Sequence, residues 1–202
     1  MRHWFLCFML FFAAPAFAEG PVLVLGDSLS AAFHIDPSAG WVTLLSQRLK
    51  TQTPPVDVVN ASISGETTAG GLSRLPALLA QHKPRIVVVE LGANDGLRGL
   101  PIDQIRKNLD TIIKTSRDAG AKVVLLGIEL PINYGPQYRT GLREMYRDEA
   151  KEFNVPLVPF LLDRVAQDPT LMQDDGMHPL AAGEPKVLEN VWPTLRTAIG
   201  AK

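Results

Sequence analysis

Short apolar runs rich in β-branched residues alternate along this chain with longer stretches whose apolar positions recur at helical spacing. Residues 21–26 (Pro-Val-Leu-Val-Leu-Gly) are apolar almost throughout, the pattern of a strand buried on both faces of a sheet. Residues 56–60, 86–91, 123–128 and 155–159 repeat it, predicting four further strands. Between them, residues 41–50, 69–81, 102–119 and 141–153 carry helical periodicity. A last helix is expected over 181–199, with Pro185 and Pro193 breaking it. Strands alternating with helices imply a parallel sheet with right-handed crossovers, covered on both sides. No linker, repeat or low-complexity stretch divides the chain, so the expectation is one α/β domain, a three-layer α/β/α sandwich.

The first residues break this rhythm. Arg2 is followed by an apolar run from Trp4 to Phe12, then by Ala13-Ala14-Pro15-Ala16-Phe17-Ala18. A basic start, a short apolar stretch and small residues at the processing positions describe a secretory signal peptide, with cleavage expected after Ala18. The run is short of the ~20 apolar residues that a membrane span requires. Residues 1–18 are therefore assigned to a cleaved leader and 19–202 to the folded domain, exported to the periplasm or secreted, without stable membrane insertion after processing. Cys7, the single cysteine, would leave with the leader, and a domain of this size can rely on its core instead of disulfides. Twenty basic residues against 21 acidic ones leave no basic stripe for nucleic acid. The expected partner is a small molecule, and the expected state a monomer.

Four fragments carry the candidate chemistry: Gly26-Asp27-Ser28-Leu29-Ser30, Ser64-Gly65-Glu66, Gly92-Ala93-Asn94-Asp95, and Asp175-Gly176-Met177-His178-Pro179. Together they supply a serine, a histidine with a carboxylate three residues before it, and two candidate donors for an oxyanion, which are the parts of an acyl-transfer site. Ser28 directly follows the first predicted strand, Gly65 the second and Asn94 the third, while Asp175 and His178 lie in the long loop after the fifth. In open α/β sheets ligands bind beyond the carboxyl ends of the strands, so all four can converge on one edge. Alternatives stay open at this level: Ser28 as a helix N-cap, Asn94 and Gly65 as turn residues, His34 as a rival base, and Asp174 as a rival orienting acid. A metal site at Asp174, Asp175 and His178 matches no strong zinc spacing. The Gly-x-Ser-x-Gly elbow of α/β-hydrolases is absent.

These blocks resemble the GDSL or SGNH hydrolase superfamily, named for its Ser, Gly, Asn and His blocks. The connecting segments Asn60-Ala61-Ser62-Ile63-Ser64-Gly65, Leu75-Pro76-Ala77-Leu78-Leu79, Asn94-Asp95-Gly96-Leu97-Arg98-Gly99 and Met172-Gln173-Asp174-Asp175-Gly176 look like those of its exported thioesterase, protease and lysophospholipase group. The likeness extends over nearly all of residues 19–202 and departs mainly after Pro179. It implies a flavodoxin-like sheet of five parallel strands and hydrolysis of esters and thioesters. It also implies Ser28 as nucleophile, His178 as base and Asp175 as the acid that orients it. The backbone N–H groups of Ser28 and Gly65 and the side-chain amide of Asn94 would form the oxyanion hole, and no cofactor or metal enters.

The function expected from the chain is a serine esterase acting on acyl esters and thioesters, lysophospholipids included, through an acyl-enzyme. An O-acetyl esterase trimming envelope polysaccharide is the alternative, and a binding module with a degenerate site a third reading. Loops leaving strands three and four should flank Asn94, so Leu97, Leu100, Ile132 and Tyr134 are the candidate acyl-chain contacts.

Overall fold

A computed structural model describes residues 20–200 of the chain. The expected leader and its cleavage site lie outside the described residues. In chain order the elements are β1 (Val22–Gly26), α1 (Trp41–Lys50), β2 (Val58–Asn60), α2 (Thr68–His82), β3 (Ile86–Glu90), α3 (Ala93–Leu97), α4 (Ile102–Asp118), β4 (Lys122–Leu126), α5 (Pro136–Glu152), β5 (Leu157–Val158) and α6 (Glu184–Ile199). The strands form one sheet in the order β2-β1-β3-β4-β5, and every pairing is parallel. Helices α1 and α6 pack together on one face, and α2, α4 and α5 on the other, giving the three layers.

Burial explains the apolar runs. Every residue of β1 and β3 is buried, because both strands lie inside the sheet with helices above and below. The edge strands β2 and β5 are shorter than their apolar runs suggest, with three and two residues. At β5, Pro156 and Pro159 flank the pairing residues and have no N–H to add to a ladder. Ile105, Leu109, Ile112 and Ile113 place the apolar stripe of α4 fully inside. Trp41, the largest fully buried side chain, donates its indole N–H to the Leu29 carbonyl at 3.1 Å. The core beneath α1 is thereby tied to the segment just after β1.

Two of the expected helices differ from the sequence reading. Helix α6 runs unbroken through Pro193, since Val187, Val191 and Leu195 bury its inner face and that burial outweighs one lost backbone bond. Pro185 falls in its first turn, where a missing N–H costs nothing. Helix α5 begins at Pro136, ahead of its first buried residue, Leu142. Among the described residues, no helix is long and apolar enough to cross a membrane.

Candidate active site

The chain leaves β1 at Gly26 and folds back in a series of tight turns. Asp27 drives the first: its Oδ1 accepts the Leu29 N–H at 3.0 Å, and its carbonyl accepts the Ala31 N–H at 3.0 Å. Ala32 and His34 both take φ of 56°, which prevents this segment from continuing as a helix. Ser28 therefore sits on a turn at the carboxyl edge of the sheet, and no helix begins there.

The loop after β5 returns to the same edge. Within it, Asp175 Oδ1 accepts the backbone N–H groups of Met177 and His178 at 2.8 and 3.0 Å. Its Oδ2 lies 2.7 Å from His178 Nδ1, and His178 Nε2 lies 2.8 Å from Ser28 Oγ. With the ring proton on Nδ1 shared with Asp175, the Nε2 lone pair faces the serine hydroxyl. Burial pushes the Asp175 carboxyl up, but three hydrogen bonds to its charged form outweigh that and hold it below the usual carboxylate range. The Phe33 ring lies 4.5 Å from the His178 ring, inclined by 38°, and covers it from the side of the serine turn. His34 stacks on Phe33 at 3.7 Å and is itself exposed.

Gly65 and Asn94 border the same cleft as Ser28 and His178. Gly65 has φ of +80°, and nothing lies within 4 Å of where a Cβ would stand, so the backbone conformation alone calls for glycine. Arg98 fixes this turn by donating to the Gly65 carbonyl at 3.1 Å. Gly92, with φ of +121°, precedes α3, and a Cβ there would lie 2.3 Å from the Tyr146 hydroxyl. That hydroxyl donates to the Leu91 carbonyl at 2.7 Å, so the chain turns tightly from β3 into α3. Asn94 then donates one amide hydrogen to Asp27 Oδ2 at 3.0 Å and keeps a second. Asp95 turns inward and accepts the Thr68 N–H at 2.8 Å and the Thr68 hydroxyl at 2.5 Å, pinning α3 to the start of α2.

The cleft has a volume of about 700 Å³. Leu97 and Ile132 line it, and Ile132 is 83% exposed at its mouth. Ile128, Leu130, Leu162 and Met172 supply buried apolar wall. Leu100 and Tyr134 pack partly buried against the core and do not line the cleft; Tyr134 instead donates its hydroxyl to the Leu97 carbonyl at 2.8 Å. The wall from the loop after β5, Leu162 and Met172, was not expected from sequence, because nothing local says which way that loop returns.

Three polar residues also escaped the sequence reading. Gln173 donates its amide both to the Phe33 carbonyl at 2.9 Å and to the Pro179 carbonyl at 2.8 Å, clamping the histidine loop to the serine turn. Asp27 and Glu90 lie fully buried beneath Ser28. A charged residue ending a strand of Ile and Val was the available signal for Glu90.

A family model described as the GDSL-like lipase/acylhydrolase family matches residues 24–184. The chain is 50% identical over 190 residues to esterase TesA of Pseudomonas aeruginosa, covering 94% of each protein. It is 45% identical over 182 residues to thioesterase 1/protease 1/lysophospholipase L1 of Escherichia coli K12, covering 90% of this chain and 86% of that protein. Among solved structures, the psychrotrophic esterase EstA from Pseudoalteromonas sp., inhibited by monoethylphosphonate, superposes with a TM-score of 0.85 at 37% identity. That superposition covers 90% of this chain and 99% of the other. With the blocks in place along the carboxyl edge and the family match spanning most of its length, the chain belongs to the GDSL-like lipase/acylhydrolase family.

Proposed function

We propose that this ester-bond hydrolase cleaves acyl esters and thioesters carrying a sizeable apolar chain, lysophospholipids among them, through an acyl-enzyme on Ser28. The observation behind this reading is the 2.8 Å approach of His178 Nε2 to Ser28 Oγ at the edge of an apolar cleft of about 700 Å³. His178 takes the hydroxyl proton as Oγ attacks the carbonyl carbon, and Asp175 holds the imidazole in the useful tautomer and stabilises the imidazolium. Negative charge gathers on the former carbonyl oxygen, met by the N–H groups of Ser28 and Gly65 and by the free amide hydrogen of Asn94. His178 then returns the proton to the departing alcohol or thiol. Water, activated by the same base, releases the acid and restores Ser28.

The apolar wall favours a long acyl chain over acetyl, because each buried CH₂ contributes ~0.8 kcal/mol. The relatives' names support both ester and thioester bonds as targets: one is an esterase, another a thioesterase and lysophospholipase. The pattern of residues 1–18 supports export to the periplasm as a chain that starts at Glu19. The test is hydrolysis of p-nitrophenyl esters of increasing acyl length, with an acyl thioester and a lysophospholipid alongside. Rates should rise from acetyl to medium and long chains, and fluorophosphonate should label the wild-type enzyme but not Ser28→Ala. Preference for acetyl esters, or labelling that survives the substitution, would overturn the reading.

A further inference from the structure

Under the serine turn lie two carboxyl groups with no access to water. Asp27 and Glu90 are both fully buried, side by side where β1 and β3 end. Glu90 Oε2 accepts the Asp27 N–H at 3.1 Å and the Ser30 hydroxyl at 2.8 Å. Glu90 Oε1 is buried without a donor. Asp27 accepts on both oxygens, from the Leu29 N–H and the Asn94 amide, each at 3.0 Å. The pair thus grips the nucleophile turn from below and reaches sideways to the oxyanion donor.

The packing leaves no room for solvent between these groups. A Cβ on Gly26 would stand 2.8 Å from Glu90 Oε2, from Ser30 Cβ and from Ser62 Oγ, so only glycine lets the three converge. Among the described residues, neither carboxyl group is held by a lysine or arginine. The titratable groups around it are Tyr146 from α5, Asp95 from α3 and His178 from the loop after β5. Tyr146 is fully buried and holds its proton, donating it to Leu91. His178 acts on the Asp27 carboxyl in the direction that favours its ionised form.

Two adjacent carboxylates in such a place cannot both be charged without a large penalty. Asp27, with both oxygens already accepting, is the better seat for the charge. A proton on Glu90 removes the repulsion and turns the orphan Oε1 into a donor. We propose that Glu90 is a positioning residue that works as a neutral acid, sharing one proton with Asp27 so that a single buried charge holds Asn94 and the Ser28 turn in the geometry of the oxyanion site. Burial, then the Asp27 charge, pushes the Glu90 carboxyl well above the usual range. Burial pushes Asp27 up to about 6, against the lowering effect of its hydrogen bonds. Both directions agree with one shared proton at neutral pH.

The consequence for the reaction follows from charge. Losing the shared proton at alkaline pH places a second negative charge under the site where an oxyanion must form, so kcat should fall there. This deepens the function proposed above and rests on Asn94 serving the oxyanion. Labelling of Ser28 tests that reading separately, and an infrared signature tests the proton without catalysis.

The experiment compares wild-type enzyme with Glu90→Gln, Glu90→Ala and Ser30→Ala. Glutamine keeps the acceptor for Asp27 N–H and Ser30 and supplies an N–H toward Asp27. Glu90→Gln should therefore keep kcat at neutral pH within a few-fold and lose the alkaline decline. Glu90→Ala should lower kcat by about tenfold or more with little change in KM, as expected when catalytic geometry drifts. Ser30→Ala removes a hydrogen bond that favours ionised Glu90, so it should move the alkaline limb to higher pH. The infrared difference between wild type and Glu90→Gln at neutral pH should show the loss of one carboxylic-acid C=O band. No such band, an alkaline limb unmoved by Ser30→Ala, or a Glu90→Gln loss equal to that of Glu90→Ala would each overturn the proposal. Should Glu90→Gln fail to fold, the Ser30→Ala profile still decides.

Discussion

Gln173 donates its side-chain amide to the carbonyl of Phe33, a residue 140 positions earlier in the chain, at 2.9 Å. The second amide hydrogen reaches Pro179, so one side chain binds the histidine loop to itself and to the serine turn. The 2.8 Å distance between Ser28 and His178 is thus backed by a tie outside these two residues. Gln173→Ala should lower kcat about ten- to a hundred-fold, because displacements near 1 Å cost that much in a positioned reaction. Gln173→Glu should be worse, since it sets a carboxylate against two carbonyl oxygens. Steady-state kinetics on one good ester checks the ranking, and a Glu variant as active as wild type would refute it.

His178 and His34 both lie near the serine turn, but only His178 meets Ser28 Oγ. His178→Ala should remove nearly all turnover, and His34→Ala should cost little. Asp175→Ala should fall between them, since in the proposed mechanism the acid orients the base and transfers no proton itself. The reverse order of the two histidine variants in kcat would displace His178 from its role.

Leu97 ends α3 and Leu100 follows three residues later, but the two face different surroundings. Leu97 lines the cleft, whereas Leu100 packs against the core and its carbonyl takes the Tyr138 hydroxyl at 2.5 Å. Leu97→Ala should lower kcat/KM for long acyl esters by about ten-fold while sparing acetyl esters, as ~0.8 kcal/mol per lost CH₂ contact requires. Leu100→Ala should lower Tm and affect every chain length alike. A chain-length effect at Leu100 equal to that at Leu97 would contradict this division.

Glu184 is 2% exposed at the start of α6, and its Oε2 accepts the Trp41 N–H at 2.8 Å. Burial pushes its carboxyl up to about 7, partly offset by that bond. The unfolded chain gives up this proton near pH 4.5 and the folded chain near 7. The folded state therefore binds the extra proton between these values, and stability falls as pH rises through that window. The loss amounts to about 3 kcal/mol at most, using 1.36 kcal/mol per pKa unit. Glu184→Gln keeps an acceptor for Trp41 and has no proton to lose. Its Tm should decline less than that of wild type between pH 5 and 8, and an equal decline would refute the assignment.

Periodicity and the sequence blocks together made much of this protein legible before folding. Five apolar runs gave five parallel strands, with the blocks at their carboxyl ends, because a strand buried on both faces must be apolar and a crossover must return the chain in the same direction. Ser28, Gly65, Asn94, Asp175 and His178 were named from short motifs, which are local. Helix α3 was missed because five residues that include Gly96 carry no period. Pro193 misled because the backbone preference of one residue says nothing of the burial on either side of it.

What only the tertiary structure decided is everything that depends on distance across the fold. It gives Leu97 to the cleft and Leu100 to the core, and it brings Leu162 and Met172 round to complete the apolar wall. It sets Gln173 against Phe33 and Glu90 beneath Asp27. It also decides protonation, since a carboxyl group at the end of β3 reads as an ordinary charge until helices and turns close over it. A sequence specifies what each residue is able to do, but a proton's place depends on the field and the solvent around it, which exist only once the sheet edge is assembled.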